Sequence, residues 1–349
     1  MRRALWRAPY NRALLSSVLR HGLVLMSVSL LGILLSGPLD ADTPEPQKPP
    51  VAAPGATPAE PLAEVIVETS EPKFVAPTRR DRIGRIWAPV TIDGKGPFRL
   101  VLDTGANRSA ITARTAQLLG ASPAEDGATR VTGFTGTAIV PTVHVSEMDV
   151  GDVLIAPADL PVLADVFGGA QGVLGIEGLA GKRIYADFGR DQLTIARSHG
   201  EPARRDFTTV PLRLVRGLLV ADVMVGTVRA KAIIDTGAQG TVGNLMLRNA
   251  LMRHPPRNAS HEDIIGVTLD VQGGDYLPMP DIAFGEHLSV KGVHVTFGDM
   301  YLFQHWGLTE EPALTIGMDL LGTFDVLIID YARRELQVRL NNYAGPMLH

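Results

Sequence analysis

The sequence predicts a mainly β protein built from two similar lobes, with a functional site where the lobes meet. Three observations lead to this prediction. The tetrapeptide Asp-Thr-Gly-Ala occurs twice, at residues 103–106 and 235–238. A five-residue segment with a central glycine and a terminal acidic residue follows each copy, at residues 173–177 and 315–319. Short runs rich in β-branched residues, separated by glycine-containing turns, fill most of the remaining chain.

The surroundings of the two tetrapeptides match as well, which indicates an internal duplication. A glycine stands nine residues before each aspartate, a cation four residues before it, and a hydroxyl-bearing residue six residues after it. A given tetrapeptide is expected by chance at about one position in 10⁵, so two aligned copies are not accidental. The repeat predicts a first lobe over residues 80–205, a second over 206–343, and a short tail at 344–349.

The elements expected inside each lobe are mostly strands. Apolar runs flanking glycine turns predict hairpins at residues 86–102 and 218–234. Short helices are expected near residues 111–119 and 245–253. Many short strands at regular spacing are typical of closed or sandwich-like β-lobes.

The N-terminal segment is predicted to be separate from the folded body. Residues 1–39 carry five arginines and no acidic residue, and residues 22–39 carry no charge. The apolar run is long for a signal peptide and short for a membrane span, so cleavage and a retained single-pass anchor both stay open. Residues 40–79 form a proline-rich linker. Either alternative predicts an exported protein that is periplasmic, anchored to the inner membrane facing the periplasm, or secreted.

Composition excludes several functional classes. The chain has no cysteine, which excludes disulfide scaffolds, thiolate metal sites and a cysteine nucleophile. Residues 40–349 carry 28 basic and 37 acidic side chains, so the body has no electrostatic footprint for nucleic acid. No histidine spacing is typical of a metal site, and no cofactor is predicted.

The two Asp-Thr-Gly loops are the candidate chemistry. An apolar strand anchors each loop, and the glycine permits a tight turn close to the carboxylate. Two such loops brought together place two carboxyl groups side by side, where both cannot ionise easily. One then acts as a general base and the other as a general acid on a water molecule, without a metal.

These motifs resemble the retropepsin-like aspartic proteases, in a bacterial single-chain form that carries two lobes. The resemblance covers residues 84–343 and implies retropepsin- or pepsin-like lobes related by a pseudo-twofold axis. It implies that Asp103 and Asp235 form the catalytic dyad. It further implies that Thr104 and Thr236 brace the two loops, that Gly105 and Gly237 bring amides near the dyad, and that Ala106 and Ala238 complete the loops.

The same family has a glycine-rich flap that closes over the substrate. Gly133, Phe134, Thr135 and Gly136 lie between two β-runs and fit that role in the first lobe. In the second lobe, residues 271–275 occupy a comparable place but are less typical of a flap. We therefore expect one working flap, as in pepsin-like bilobal enzymes.

The function expected from these observations is that of an aspartic endopeptidase acting on peptide or protein substrates. Because both half-sites lie in one chain, a monomer is expected. The alternative is a catalytically silent peptide-binding module with the same fold.

Overall fold

The computed structural model describes residues 24–25, 73–77, 84–122, 127–150, 153–155, 157–177, 179–252 and 259–340. The predicted signal peptide or anchor, the linker and the tail lie outside these residues, apart from two short strands, β1 (Val24–Leu25) and β2 (Lys73–Pro77). None of the helices within the described ranges has the length and apolar character needed to cross a membrane.

The fold is mainly β, which confirms the fold class predicted from the sequence. The first repeat contains β3 (Trp87–Ile92), β4 (Lys95–Leu102), β5 (Ala110–Thr112), α1 (Ala113–Leu119), β6 (Ala128–Thr132), β7 (Thr137–Val145), β8 (Met148–Val150), β9 (Val153–Ile155), β10 (Ala158–Leu163), β11 (Gly172–Leu174), β12 (Lys182–Asp187) and β13 (Gln192–Arg197).

The second repeat contains β14 (Thr208–Pro211), β15 (Arg213–Val215), β16 (Leu218–Val225), β17 (Val228–Ile234), β18 (Val242–Gly243), α2 (Leu245–Leu251), β19 (Ser260–Ile265), β20 (Val271–Pro278), β21 (Ile282–Phe284), β22 (Leu288–Val290), β23 (His294–Phe297), α3 (Tyr301–Trp306), β24 (Ala313–Ile316), α4 (Met318–Leu321), β25 (Val326–Asp330) and β26 (Glu335–Arg339).

Strand β3 shows the alternation of buried and more exposed side chains that is typical of a strand covering a core. In β3, the side chains of Ala88, Val90 and Ile92 are buried, and the residues between them are partly exposed. The turn to β4 has positive φ at both Asp93 and Gly94, as a tight hairpin requires. The last residues of β4 and β17 are buried on both faces, which holds the following loops in the interior.

The strands form two sheets, and the central strands of both sheets pair in the same way. The nine-stranded first sheet has the order β6-β7-β10-β5-β11-β4-β3-β8-β9. The eleven-stranded second sheet contains the order β19-β20-β23-β18-β24-β17-β16-β21-β22, with β1 and β15 added. In both sheets the strand before the Asp-Thr-Gly loop pairs in parallel with a strand from later in the same repeat. The paired residues are 72 positions apart for β4 with β11 (Leu100 with Gly172) and 82 positions apart for β17 with β24 (Lys231 with Ala313). That strand pairs antiparallel on its other side with the short strand after the loop.

A third sheet joins the two repeats. Its six strands have the order β14-β26-β25-β12-β13-β2, and the central pair, β12 with β25, brings one strand from each repeat together. Asp187 and Asp330 end these two strands, and the carboxylate of each accepts a hydrogen bond from the main-chain N–H of Arg190 or Arg333. Asp187 and Asp330 therefore stabilise corresponding turns, one after β12 and one after β25.

Candidate active site

Both Asp-Thr-Gly loops lie deep in the protein and are tied to their own sheets. Asp103 is 0% exposed and Asp235 is 1% exposed. The main-chain N–H of Asp103 donates to the Leu174 carbonyl at 3.0 Å, and that of Asp235 donates to the Ile316 carbonyl at 3.1 Å. In each repeat the later parallel strand thus holds the first residue of the loop.

The two loops are joined by a crossed set of four hydrogen bonds between their threonines and the opposite main chain. The Thr104 hydroxyl donates to the Ile234 carbonyl, and the Thr236 hydroxyl donates to the Leu102 carbonyl, both at 2.7 Å. Each hydroxyl also accepts the main-chain N–H of the other threonine at 3.1 Å. All these groups are buried, so each one depends on its partner in the other repeat.

The glycines allow the backbone to approach the carboxylates. The Gly105 N–H donates to Asp103 Oδ1 at 2.8 Å, and the N–H groups of Gly237 and Ala238 donate to Asp235 Oδ1 at 3.0 and 3.1 Å. A Cβ added to Gly105 would lie 2.6 Å from Asp235 Oδ2, in the other repeat. The Asp235 carboxyl group therefore packs directly on the loop that carries Asp103.

A second pair of matching contacts supports the loops from outside. The Ser109 hydroxyl accepts the Gly175 N–H at 3.0 Å, and Glu177 Oε1 accepts the Ser109 N–H. In the second repeat the Thr241 hydroxyl accepts the Gly317 N–H at 3.2 Å and donates to Asp319 Oδ1 at 2.8 Å. A hydroxyl and a carboxylate thus link each loop to the segment after β11 or β24.

These two carboxylates have shifted protonation equilibria. Burial raises the pKa of Glu177 above its ordinary value of 4.5, and hydrogen bonds from Ser109 only partly oppose this effect. Burial likewise raises the pKa of Asp319 above 3.8, against hydrogen bonds from Thr241 and Leu320. Both groups therefore hold their protons to higher pH in the folded protein than in the unfolded chain.

Comparison with known proteins gives a family match within the first repeat. A family model described as "gag-polyprotein putative aspartyl protease" matches residues 88–180. The matched segment includes the first Asp-Thr-Gly loop, the first glycine-rich turn and the Gly175 segment. It ends before the second loop. No curated protein matches the chain.

The predicted flap residues form the tip of the β6–β7 hairpin, which we call hairpin 1 (residues 128–145). The Gly133 N–H donates to the Gly136 carbonyl at 2.8 Å and closes the turn. Phe134, inside that turn, is 0% exposed. A fully buried aromatic ring at the tip of a hairpin requires a partner surface, and the second repeat provides it.

The second repeat has a matching hairpin, but its tip lies elsewhere than the sequence suggested. Residues 271–275, expected as the counterpart of the flap, belong to strand β20. The β19–β20 hairpin, which we call hairpin 2 (residues 260–278), turns at residues 266–270 instead. A Cβ at Gly274 would lie 2.6 Å from the Phe297 carbonyl oxygen, so the glycine there permits close strand packing.

The structure brings together the predicted loop residues of both repeats, Asp103–Ala106 and Asp235–Ala238. The sequence repeat aligns Glu177 with Asp319 and Ser109 with Thr241. It does not predict that each acid contacts the hydroxyl-bearing residue of its own repeat. It also missed Tyr331, whose buried hydroxyl has no hydrogen-bond partner among the described residues. Burial raises the pKa of Tyr331, and the negative charge of Asp103 raises it further.

No described group of three or more His, Asp or Glu residues could hold a metal ion.

Replacement of a crossed threonine tests the link between the loops. Thr104→Val keeps the shape but leaves the Thr236 N–H and the Ile234 carbonyl without partners, so we expect a loss of about 2–5 kcal/mol in the free energy of unfolding. Thr104→Ser keeps the hydroxyl and is expected to lose less than about 1 kcal/mol. Urea denaturation of both variants measures the difference. Equal stabilities would contradict the role of the hydroxyl.

The raised pKa values of Glu177 and Asp319 predict a pH effect on stability. The folded state retains protons that the unfolded state has lost, so Glu177 and Asp319 reduce the free energy of unfolding as pH rises above their ordinary pKa values. In Glu177→Gln/Asp319→Asn, stability relative to wild type should increase between pH 4 and pH 8, as measured by urea denaturation. The exposed control Glu147→Gln should show no such trend. A relative stability that falls with pH would contradict the assigned shifts.

Proposed function

We propose that the protein is a single-chain aspartic endopeptidase with two pseudo-twofold-related lobes, in which Asp103 and Asp235 form one catalytic dyad. The observation that carries the proposal is the crossed hydrogen bonding of Thr104 and Thr236. It fixes the two Asp-Thr-Gly loops against each other. The Asp235 carboxyl group then lies against the loop of Asp103.

The chemistry follows from two carboxyl groups that share a buried site. Because like charges in so small a space are unfavourable, the pair holds one proton over a range of pH. The ionised carboxyl takes a proton from water as the oxygen attacks the peptide carbonyl, and the protonated carboxyl donates to the carbonyl oxygen. As the tetrahedral intermediate collapses, one of its hydroxyl groups returns a proton to the dyad and the departing amine takes up the proton that came from water. The dyad thereby regains its starting state, and no covalent bond to the enzyme forms.

The surroundings of the dyad agree with a peptide substrate. The tips of hairpin 1 and hairpin 2 pack in the apolar clusters that contain Ala238 and Ala106, the residues that follow the two Asp-Thr-Gly motifs. We propose that an extended peptide binds between these hairpins and the loops. The match of residues 88–180 to an aspartyl protease family supports the same reaction class. We further propose that the enzyme acts as a monomer and that residues 1–39 direct its export or hold it at the inner membrane.

The second candidate is a peptide-binding module without turnover. It would keep the fold and the apolar surfaces beneath the hairpins. Retention of an aspartate, a threonine and a glycine in both loops favours the enzyme, since binding alone does not need two adjacent carboxyl groups.

The dyad is tested by removing one carboxyl at a time. Asp103→Asn and Asp235→Asn should each reduce kcat/KM for peptide cleavage by at least about 10²–10⁴-fold, because each acid–base role needs its own carboxyl. The matched control is Asp281→Asn at an exposed position, which should retain full activity. A peptide library with mass-spectrometric readout measures cleavage, and thermal unfolding checks the fold.

The cleavage assay also distinguishes the endopeptidase from the peptide-binding module. Wild-type protein that binds peptides but never cleaves them would favour the binding module. A dyad variant with wild-type turnover would contradict the proposed pairing of Asp103 with Asp235.

Dilution tests the proposed monomer. Because one chain contributes both carboxyl groups, the rate per molecule should stay constant as enzyme concentration falls from micromolar to nanomolar. Enzymes assembled from two identical half-sites lose activity on dilution by mass action. A rate per molecule that falls with concentration, measured on one fluorogenic peptide, would refute the single-chain site.

A further inference from the structure

The second repeat contains a cavity between strands β15, β16 and β17 and the end of helix α3. Its volume is about 240 Å³. A cavity of about 150 Å³ is already large enough to bind benzene, so this one has room for a large apolar side chain. Most of its wall is apolar and consists of Val215, Leu218, Val220, Ile233, Trp306 and Leu308.

The cavity lies on the face of β17 that leads to Asp235. Side chains alternate along a strand, so Lys231 and Ile233, which line the cavity, share the face of Asp235. Ile233 packs in the buried cluster that contains Ala238, whereas Ile234 packs in the main core. At about 3.3 Å per residue, Ile233 and Lys231 stand about 7 and 13 Å before Asp235 along the chain. A peptide held at the Asp235 carboxyl group can therefore place a side chain in the cavity.

The two repeats differ at this position. Trp87 pairs with Val101 in the first repeat, and Val220 pairs with Ile233 in the second. Both partners stand two residues before a loop aspartate, so Trp87 and Val220 are equivalent. The Arg99 guanidinium lies 4.5 Å from the centroid of the Trp87 ring, so an indole and a cation pack together in the first repeat. In the second repeat the smaller Val220 lines a cavity instead.

Another wall of the cavity comes from a segment that is longer in the second repeat. Residues 298–312 connect β23 to β24, whereas the shorter segment 164–171 connects β10 to β11. The longer connection contains α3 and supplies Trp306, Leu308 and Glu311 to the cavity. The buried Nε1–H of Trp306 has no acceptor among the described residues. Because this segment and Val220 both belong to the second repeat, the cavity lies on one side of the dyad.

The cavity is basic at its edge, although the body of the protein is acidic. Its charged lining residues are three cations and one acid, Arg213, Arg216, Lys231 and Glu311. Arg213 and Lys231 both donate to Asp222 Oδ1, at 2.8 and 2.7 Å. With Asp222 included, three cations face two carboxylates, which leaves one positive charge. Arg216 donates to the His305 carbonyl at 3.1 Å and has no carboxylate partner within the described part of the chain.

We propose that this cavity selects substrates in which a large apolar residue is flanked by acidic residues, on one side of the cleaved bond only. The selection rests on the proposed function for its effect on cleavage. The apolar wall takes up the side chain, and the peptide main chain supplies an acceptor for the Trp306 N–H. Arg216 attracts the neighbouring carboxylates, and basic residues at the same places are repelled.

The first test measures binding without turnover. It uses the full chain with Asp103→Asn and three end-blocked peptides, Glu-Glu-Leu-Glu-Glu, Lys-Lys-Leu-Lys-Lys and Glu-Glu-Ala-Glu-Glu, in calorimetric titrations. The acidic leucine peptide should bind at least about fivefold more tightly than the basic peptide, because the edge of the cavity is positive. It should bind about tenfold or more tightly than the alanine peptide, which buries less apolar surface. Equal binding of the three peptides would overturn the proposal.

Two variants and one matched control locate the binding. Val220→Trp copies the first repeat and should weaken binding of the acidic leucine peptide about tenfold or more, because the indole fills the cavity. Arg216→Gln should reduce the preference for acidic over basic peptide about two- to fivefold. Arg334→Gln should change neither value, since Arg334 is also an exposed arginine with positive φ but does not line the cavity. Thermal unfolding checks each fold. If Val220→Trp does not fold, Arg216→Gln decides, and an unchanged preference in that variant would overturn the proposal.

Cleavage of a peptide library separates this proposal from the proposed function. Wild type should favour a large apolar residue with acidic neighbours on one side of the cleaved bond. Val220→Trp should lose that preference and keep the preferences on the other side. Cleavage without a one-sided preference would overturn the selection and leave the endopeptidase intact. If no peptide is cleaved, the proposed function fails, and the binding experiment decides the role of the cavity.

Discussion

The crossed threonines are the constraint on which the rest of the site depends. Each hydroxyl satisfies two buried main-chain groups of the other repeat, so neither loop can complete its hydrogen bonding alone. The parallel strands β11 and β24 hold the same loops from their own sheets. Two Asp-Thr-Gly loops, separated by 132 residues in sequence, are thereby fixed as one unit. The buried positions of both carboxyl groups follow from this arrangement.

The hairpins add a second connection between the repeats, with different physical properties. It consists mainly of apolar contacts at the buried tips of the hairpins, where Phe134 and Val267 pack against the opposite repeat. The loops are therefore joined by buried hydrogen bonds, whereas the hairpin tips are joined mainly by apolar contacts.

Sequence reasoning succeeded where the signal is local. Each Asp-Thr-Gly follows an apolar strand, and the turn at residues 133–136 lies between two β-runs, so the position of each feature could be predicted. The partnership of Ser109 with Glu177 spans 68 residues and depends on how β11 enters the sheet. Gly273 and Gly274 suggested a turn, but they are strand glycines next to His261 and Phe297. The six-residue helix α3 is too short for a periodic signal, yet it carries Phe303 to Phe134.

The central claim is that one chain contributes both halves of one catalytic site. The most direct measurement mixes purified Asp103→Asn and Asp235→Asn proteins in equal amounts and records peptide cleavage beside wild type at the same total concentration. A site contained in one chain predicts cleavage by wild type and none by either variant or by their mixture. Recovery of activity in the mixture would mean that sites assemble from two molecules, and would contradict the account.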